Sequence, residues 1–226
     1  MKSALITGIT GMVGSHLTDY LLKNTKWKIY GLSRWRSPLE NIEHLLNEAN
    51  KKKSRVNFIY GDLNDYSSLV ECINQSKPDY VFHLAAQSYP QTSFTEANLT
   101  LDTNVIGTYN LLNAINKSKY KPYVHVCSSS EIFGKVSKDK IPIDENCNFH
   151  PASPYAISKV GTDLIGRYFF EAYKMKVMVT RMFTHTGPRR GDVFAESTFA
   201  KQIALIEAKK NPPLIEELNA LFTDMT

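Results

Sequence analysis

The sequence predicts an α/β fold in which helices cover both faces of a parallel sheet. Short apolar runs alternate with segments of helical periodicity along the first 182 residues. A glycine-rich turn, Gly8 to Gly14, stands between the first apolar run and the first helical segment. With 226 residues, of which 42% are apolar, the chain can bury the core that such a fold needs.

Six apolar runs predict the strands, and most of the segments between them predict helices. Because the runs are continuous rather than alternating, both faces of the sheet should be buried, as in a doubly wound parallel sheet. The predicted strands are Lys2 to Thr7, Lys28 to Leu32, Val56 to Tyr60, Tyr80 to Leu84, Tyr123 to Cys127 and Lys176 to Met182. After the helix that follows the turn, the predicted helices are Pro38 to Lys53, Tyr66 to Gln75, Thr95 to Lys117 and Tyr155 to Tyr173.

The glycine-rich turn predicts a dinucleotide-binding site. It follows the first strand and precedes the first helix, where glycines let the backbone approach a pyrophosphate at the helix N-terminus. A plain tight turn is the alternative interpretation. The predicted cofactor-binding residues of this turn are Gly8, Thr10, Gly11, Met12, Val13 and Gly14.

The residues after the second strand favour NADP over NAD. A carboxylate about 20 residues beyond the glycines would hold a free ribose 2′-hydroxyl. This chain has Arg34 and Arg36 there, and guanidinium groups suit a 2′-phosphate. The alternative is that both arginines are surface residues or line a subunit contact.

Three other stretches follow predicted strands and should therefore share the crevice with the glycine turn. Ala85 to Ser88 offers small side chains beside which a cofactor can lie, and Phe183 to Arg190 follows the last strand. In Ser128 to Glu131, a serine can bond a substrate hydroxyl, and Glu131 adds a second base unless it caps a neighbouring loop. Ser128 and Ser130 are expected to satisfy backbone groups of a turn.

Tyr155 and Lys159 form the predicted acid–base pair. Pro154 suits the first turn of a helix, and a spacing of four residues places the pair on one helical face, roughly 6 Å apart along the axis. An ammonium this close favours the phenolate and so lowers the tyrosine pKa. Such a tyrosine can act on a hydroxyl–carbonyl pair, although an ordinary exposed Tyr/Lys pair would show the same spacing.

The composition argues against several other classes of protein. Three unclustered cysteines and six scattered histidines predict neither a disulfide framework nor a metal site. Although the net charge is +5, the lysines are dispersed, so solvated surfaces are expected rather than a nucleic-acid interface. No apolar run reaches membrane-spanning length and no signal peptide is recognised, so we expect a cytoplasmic protein with no membrane partner.

The whole chain resembles the extended short-chain dehydrogenase/reductase family of nucleotide-sugar enzymes. Within it, Ser130 to Gly134 and His185 to Phe194 are most similar to the dehydratases that act on GDP-mannose. The four motifs that carry the resemblance are the glycine turn, Leu84 to Ser88, Ser128 to Gly134 and Tyr155 to Lys159.

The resemblance implies a catalytic cycle with tightly held NADP. Tyr155, aided by Lys159, would take the proton from the carbon-4 hydroxyl, Ser129 would steady the new carbonyl, and Glu131 would deprotonate carbon 5 before water leaves carbon 6. The cofactor contacts implied in addition to the glycine turn and Arg34 are Asp62, Leu63, Leu84, Ala85, Ala86, Ser88, Tyr155, Lys159, His185 and Arg190. The implied substrate contacts are Ser88, Ser129, Glu131, Tyr155, Thr184 and Arg189.

The resemblance also implies the domain organisation and the assembly. Residues 1–190 would form an NADP-binding Rossmann domain, and residues 191–226 would begin a substrate lobe that is otherwise largely missing, with Asn219 to Asp224 similar to the stretch entering it. A homodimer or homotetramer is implied, with the helices Thr95 to Lys117 and Tyr155 to Tyr173 forming a four-helix bundle between subunits. Arg34 to Leu46 would join dimers into tetramers.

Departures and alternatives bear on the substrate more than on the fold. Thr184 replaces the usual asparagine, and Leu99 replaces a tyrosine often found there. Nucleotide-sugar epimerases and decarboxylases use the same oxidation at carbon 4, and a non-catalytic NADP-binding protein would share the fold. Glu131 argues against simple 4-epimerases, Pro188 to Gly191 favours the dehydratase, and the intact Tyr155/Lys159 pair argues against the non-catalytic protein.

Overall fold

The computed structural model describes residues 1–208 and residue 210. Six parallel strands form one sheet in the order β3-β2-β1-β4-β5-β6. The predicted Rossmann-type doubly wound sheet is therefore confirmed, with its switch point between β1 and β4. The strands are β1 Ser3–Thr7, β2 Lys28–Ser33, β3 Val56–Tyr60, β4 Tyr80–His83, β5 Tyr123–Ser129 and β6 Lys176–Met182.

Helices connect the strands and cover the sheet. The α-helices are α1 Met12–Asn24, α2 Glu43–Ala49, α3 Tyr66–Ser76, α4 Pro90–Thr95, α5 Ala97–Leu101, α6 Gly107–Lys117, α7 Pro154–Tyr173 and α8 Ala195–Glu207. A five-residue π-helical segment, Asp102–Ile106, joins α5 to α6. Short 3-10 turns occupy Glu40–Ile42, Ser130–Phe133 and Lys138–Lys140. Among the described residues, no helix is both long and apolar enough to cross a membrane.

The core has two parts because side chains alternate across each strand. Ala4 and Ile6 of β1 pack with Leu21 of α1 in one cluster. Leu5, between them in the strand, belongs to the other cluster, which includes Leu111 of α6 and Phe169 of α7. All five residues of β1 are buried, as expected for a central strand covered on both faces.

Three predicted elements differ from the structure. The helix predicted from Pro38 to Lys53 is limited to α2 and a preceding 3-10 turn, because the polar stretch 50–53 has no apolar side chain to bury. The single helix predicted from Thr95 to Lys117 is divided by the π-helical segment. The strand β5 extends through Ser129, so Ser128 does not serve a turn as predicted.

The chain divides into two compact units, Met1–His185 and a second that begins at Thr186. The first unit contains the whole sheet, and α8 lies in the second. The predicted division after residue 190 stays a prediction, and Asn219 to Asp224 lies outside the described residues.

Candidate active site

The glycine turn packs against the loop that follows β4. Gly8 has a φ of +73°, and a Cβ there would lie 2.7 Å from the Ala85 nitrogen. A Cβ on Gly14 would lie 2.3 Å from the Gly8 carbonyl oxygen. Contact with backbone atoms therefore excludes a side chain at both positions. At Gly8, the positive φ disfavours a side chain as well.

This turn has the properties of a diphosphate site. The helix α1 begins after Gly11, which provides no side-chain cap, and its first turn contains no acidic residue. The positive end of the helix dipole is thus not offset by a carboxylate, which favours an anion. A dinucleotide pyrophosphate fits the predicted residues Gly8 to Gly14.

A buried hydrogen-bond network fixes the ends of β1 and β4 beside the turn. The Thr108 hydroxyl donates to the Asn104 carbonyl at 2.6 Å, so its oxygen accepts from His83 Nε2 at 2.9 Å. His83 Nδ1 then accepts from the Thr7 hydroxyl at 2.8 Å. The Thr7 oxygen in turn accepts from the N–H groups of Leu84 and Ala85, each at 3.2 Å.

This arrangement requires a neutral His83, because both ring nitrogens already have defined roles. Complete burial lowers the pKa of His83 to about 3, and the Lys159 charge acts in the same direction. The network therefore persists at neutral pH and holds the backbone of Ala85 against Gly8.

Asn104 connects the loop after β4 to α7. Its Oδ1 accepts from the Gln87 N–H at 2.8 Å, and its Nδ2 donates to the Gln87 carbonyl and to Ser158 Oγ, both at 2.9 Å. Ser158 Oγ donates to the Tyr155 carbonyl at 2.6 Å. Asn104 lies in the π-helical segment, a deviation common at functional sites.

Tyr155 and Lys159 lie at the start of α7. Ser153 caps this helix by accepting from the Ala156 N–H at 3.0 Å, and Pro154 occupies its first turn as predicted. Both members of the pair are buried, and Lys159 Nζ lies 5.8 Å from the centre of the Tyr155 ring. The spacing thus brings the pair together as expected.

The Lys159 ammonium is held by β5. Its Nζ donates to the Cys127 carbonyl at 2.9 Å, while the Ser128 hydroxyl donates to the Lys159 carbonyl at 2.9 Å. Ser128 is therefore structural, but it secures a helix rather than a turn. Burial lowers the pKa of Lys159.

Ser129 and Glu131 lie where β5 passes into a 3-10 turn. Ser129 is buried, and its Oγ accepts from the Glu131 N–H at 3.2 Å. A hydroxyl that accepts one bond retains its proton for donation. The side chain of Glu131 is exposed, in contrast to the buried Ser129.

The residues predicted to hold the adenosine half lie at the ends of β2 and β3. Arg34 is exposed directly after β2. Asp62 Oδ1 accepts from the Asn64 N–H at 2.9 Å, and Leu63 is buried against Gly107. Of the predicted residues after β4, Leu84, Ala85 and Ala86 are half-buried and Ser88 is exposed.

The last predicted stretch crosses the boundary between the units. Thr184 and His185 end the first unit, where His185 Nδ1 donates to the Phe183 carbonyl at 2.8 Å. Arg189 and Arg190 belong to the second unit, where the Arg190 guanidinium lies 3.7 Å from the Phe194 ring centre. The structure thus places the predicted site residues up to His185 together beyond the carboxyl ends of the strands. It gives no position relative to them for Arg189 and Arg190.

Sequence reasoning missed the residues that support the site. Asn104 lies within a predicted helix but in none of the sequence motifs, and Thr7, His83 and Ser158 receive no predicted role. A polar residue within an apolar strand, as Thr7 and His83 are, is a signal that could have found two of them. The pairing of Asn104 with Gln87 has no comparable local pattern.

Four features together define an extended short-chain dehydrogenase/reductase. They are the Rossmann-type parallel sheet, the glycine turn after β1, the serine that ends β5 and the Tyr–Lys pair on α7. The chain belongs to the GDP-mannose 4,6 dehydratase family, whose model matches residues 5–220.

Curated relatives agree with this assignment. A GDP-mannose 4,6-dehydratase of Yersinia enterocolitica is 35% identical over 210 residues, covering 91% of this chain and 56% of the relative. A human GDP-mannose 4,6 dehydratase is 37% identical over 212 residues, covering 90% of this chain and 55% of the relative. The chain spans about half the length of the curated relatives it matches.

Solved structures share the fold. A dTDP-glucose 4,6-dehydratase of Streptomyces venezuelae with NAD bound has a TM-score of 0.80 at 26% identity, covering 90% of this chain and 62% of that one. RMD of Pseudomonas aeruginosa, complexed with NADPH, has a TM-score of 0.74 at 29% identity, covering 94% of this chain and 63% of that one. Similar proteins thus bind nicotinamide cofactors of both kinds.

Proposed function

We propose that this chain is the cofactor-binding and catalytic part of a nucleotide-sugar 4,6-dehydratase that converts GDP-mannose to its 4-keto-6-deoxy product. The observation that carries the proposal is the pairing of the buried Lys159 with Tyr155, beside Ser129 and Glu131 at the end of β5. Membership of the GDP-mannose 4,6 dehydratase family supports the substrate.

Tyr155 is the acid–base group at carbon 4 of the hexose. Its phenolate oxygen takes the proton from the sugar hydroxyl, and the Lys159 ammonium favours this phenolate. The bond from Lys159 to the Cys127 carbonyl uses one ammonium proton and leaves two directed elsewhere. The Ser129 hydroxyl donates a hydrogen bond to the sugar oxygen as the carbonyl forms.

Glu131 is the base for the elimination. The carbonyl at carbon 4 makes the hydrogen on carbon 5 acidic, so Glu131 removes it as a proton. Glu131 then passes this proton to the hydroxyl that leaves carbon 6, which departs as water. The exposed position of Glu131, after a buried Ser129, suits a base that meets a substrate entering from solvent. When bound, the nicotinamide group accepts hydride from carbon 4 and returns it to carbon 6.

The cofactor proposed is NADP. The glycine turn holds the pyrophosphate, Asp62 and Leu63 contact the adenine, and Arg34 binds the 2′-phosphate. The exposed guanidinium of Arg34 at the end of β2 and the lack of a carboxylate in Ser33 to Arg36 favour NADP over NAD. The remaining contacts are assigned to Leu84, Ala85, Ala86, Ser88, His185 and Arg190.

The substrate contacts and assembly complete the proposal. Ser88 and Thr184 would contact the sugar, and Arg189 would neutralise its diphosphate. The domain division after residue 190 and the cytoplasmic location are part of the same proposal. The proposed subunit interface is supported by exposed apolar side chains near and along the two long helices: Ile106, Tyr109, Ile157, Leu164 and Tyr168.

Mass spectrometry of the products tests the proposal. After incubation with GDP-mannose and NADP, we expect a sugar nucleotide lighter by one water. A product of unchanged mass but altered stereochemistry would indicate an epimerase instead. Intact GDP-mannose, with NADP shown to be bound, would contradict the proposed substrate, and absence of bound cofactor would contradict the cofactor assignment.

A further inference from the structure

The strands of the sheet begin at an edge that is strongly basic. Because all six are parallel, the segments that lead into them meet at one edge, which we call the amino edge. These segments hold thirteen lysines and one arginine against a single carboxylate, Asp79, although the chain has 27 basic and 22 acidic residues. The rest of the chain therefore carries a net charge of −8. The amino edge comprises residues 1–2, 23–28, 51–55, 77–79, 117–122 and 174–176.

Most of this positive charge is available to a partner. All thirteen lysines are exposed. Asp79 accepts a bond from the Ser3 N–H at 2.8 Å, and Lys51 bonds Glu48 at 2.6 Å. The Arg55 guanidinium is occupied by the carbonyls of Leu22 and Thr25. The charge that faces solvent is thus almost entirely ammonium.

Helix stabilisation accounts for only some of these lysines. Lys23, Lys77 and Lys174 lie at the C-terminal ends of α1, α3 and α7, where a cation opposes the helix dipole. The consecutive run Lys51 to Lys53 exceeds what one seven-residue helix needs. Lys176, as the first residue of a strand, has no helix end to stabilise.

Three aromatic rings lie in a row along the same edge. Trp27 stacks on Tyr80 with ring centres 4.4 Å apart, and Tyr80 stacks on Tyr123 at 5.7 Å. Lys2 Nζ lies 5.0 Å from the Tyr80 ring centre, and Lys176 Nζ lies 4.5 Å from that of Tyr123. The ring faces are thus taken by one another and by ammonium groups.

These features favour a lipid surface over a nucleic acid. Single-stranded nucleic acids need open aromatic faces on which bases stack, and specific phosphate recognition favours arginine. The amino edge offers neither open aromatic faces nor an arginine that is available to a phosphate. Lysines gathered on one surface attract an anionic membrane without defined geometry, and tyrosine and tryptophan are common at membrane–water interfaces. Tyr123 is 55% exposed.

We infer that the amino edge binds peripherally to the surface of an anionic lipid bilayer. This departs from the expectation, drawn from the sequence, that the protein has no membrane partner. The edge is at the opposite end of the strands from the candidate active site, so attachment would leave the cofactor crevice open. The inference does not depend on the proposed function.

Vesicle co-sedimentation of the full chain tests the inference with two variants of equal net charge. The first changes Lys51, Lys52 and Lys53 to glutamine, and the second changes Lys135, Lys138 and Lys140, which are exposed but lie beyond the carboxyl end of β5. Vesicles of phosphatidylcholine with about a third phosphatidylserine are compared with pure phosphatidylcholine. Circular dichroism establishes that both variants remain folded.

We expect binding only to the phosphatidylserine vesicles, and its loss as salt is raised from about 0.05 to 0.5 M. The first variant should bind at least about tenfold more weakly, and the second by less than about threefold. Equal weakening by the two variants would overturn the assignment to this edge. Failure to bind these vesicles, or binding only to a short RNA tested in parallel, would overturn the lipid assignment.

Discussion

The Lys159 ammonium on α7 reaches the carbonyl oxygen of Cys127 in β5 at 2.9 Å. Together with the bond from Ser128 to the Lys159 carbonyl, this contact sets the helix against the strand that ends in Ser129. The helix carries Tyr155, the proposed acid–base group, and the strand carries Ser129, which is proposed to steady the carbonyl. Their relative position therefore depends on two hydrogen bonds that involve no substrate.

Replacing Tyr155 with phenylalanine should abolish dehydration and preserve NADP binding. The change removes only the hydroxyl that exchanges the proton, so we expect turnover to fall by at least about 100-fold. Product mass spectrometry and cofactor titration measure the two effects separately. Tyr20→Phe, at an exposed tyrosine near the C-terminal end of α1, is the control. Retained turnover in Tyr155→Phe would exclude the proposed role.

Replacing Arg34 with aspartate should weaken NADP much more than NAD. The substitution removes a charged partner of the 2′-phosphate and adds a repulsive charge, so the preference should shift by about tenfold or more. Calorimetric titration with each cofactor gives the two affinities. Lys140→Asp changes the net charge equally at a different exposed site. Equal weakening of both cofactors by Arg34→Asp would show that Arg34 does not recognise the phosphate.

Replacing Gly14 with alanine should disrupt the dinucleotide site. The new methyl group would lie 2.3 Å from the Gly8 carbonyl oxygen, so the turn must move. We expect a loss of about 1–3 kcal/mol in unfolding free energy, with loss of cofactor binding. Gly187→Ala is a matched control because nothing lies within 4 Å of its Cβ position. Urea unfolding compares the two, and similar stabilities would contradict the close approach.

Replacing Asn104 with alanine should destabilise the protein by about 2–3 kcal/mol, because it leaves buried partners in Gln87 and Ser158 without their bonds. Asn110→Ala removes a single bond to the Leu63 carbonyl and should cost about 1 kcal/mol. Chemical denaturation measures both. An Asn104 variant no less stable than the Asn110 variant would show that the connection between loop and helix contributes little.

Acid should destabilise the fold through His83. Its pKa is about 3 in the folded protein and 6.5 ordinarily, so between these values the unfolded chain binds a proton that the folded chain does not. Stability should be unaffected by this group above about pH 7. Below it, unfolding free energy should decrease by about 1.4 kcal/mol per pH unit.

Denaturation at a series of pH values measures this slope. Burial also lowers the pKa of His125, which adds in the same direction. His83→Gln should flatten the dependence, whereas His44→Gln, at an exposed histidine, should retain the contribution of His83. An unchanged slope in His83→Gln would assign the acid sensitivity to other groups.

The sheet could be predicted because its signals are local. The boundaries of β3 and β6 agree with their apolar runs, and the glycine turn was readable from spacing alone. Helix continuity was less predictable. The π-helical segment around Asn104 depends on bonds to Gln87 and Ser158, which lie 17 and 54 residues away in the chain.

The candidate site shows the same contrast between local signals, which can be predicted, and contacts between distant residues, which cannot. Tyr155 and Lys159 are four residues apart, so helical spacing was enough to pair them. The link between Lys159 and Cys127 spans 32 residues, and that between Thr7 and His83 spans 76. Such partners are selected by tertiary packing, for which a single sequence offers no local pattern.

The strand order has a consequence for how the molecule can be assembled. Counting from β1, each later strand pairs with one that precedes it in the chain: β2 and β3 extend one side, and β4, β5 and β6 extend the other. A chain emerging from the ribosome can therefore add every new strand to an edge already made. The proposed phosphate-binding turn directly follows β1, with which this order begins, and α7, with Tyr155 and Lys159, is made only after β5.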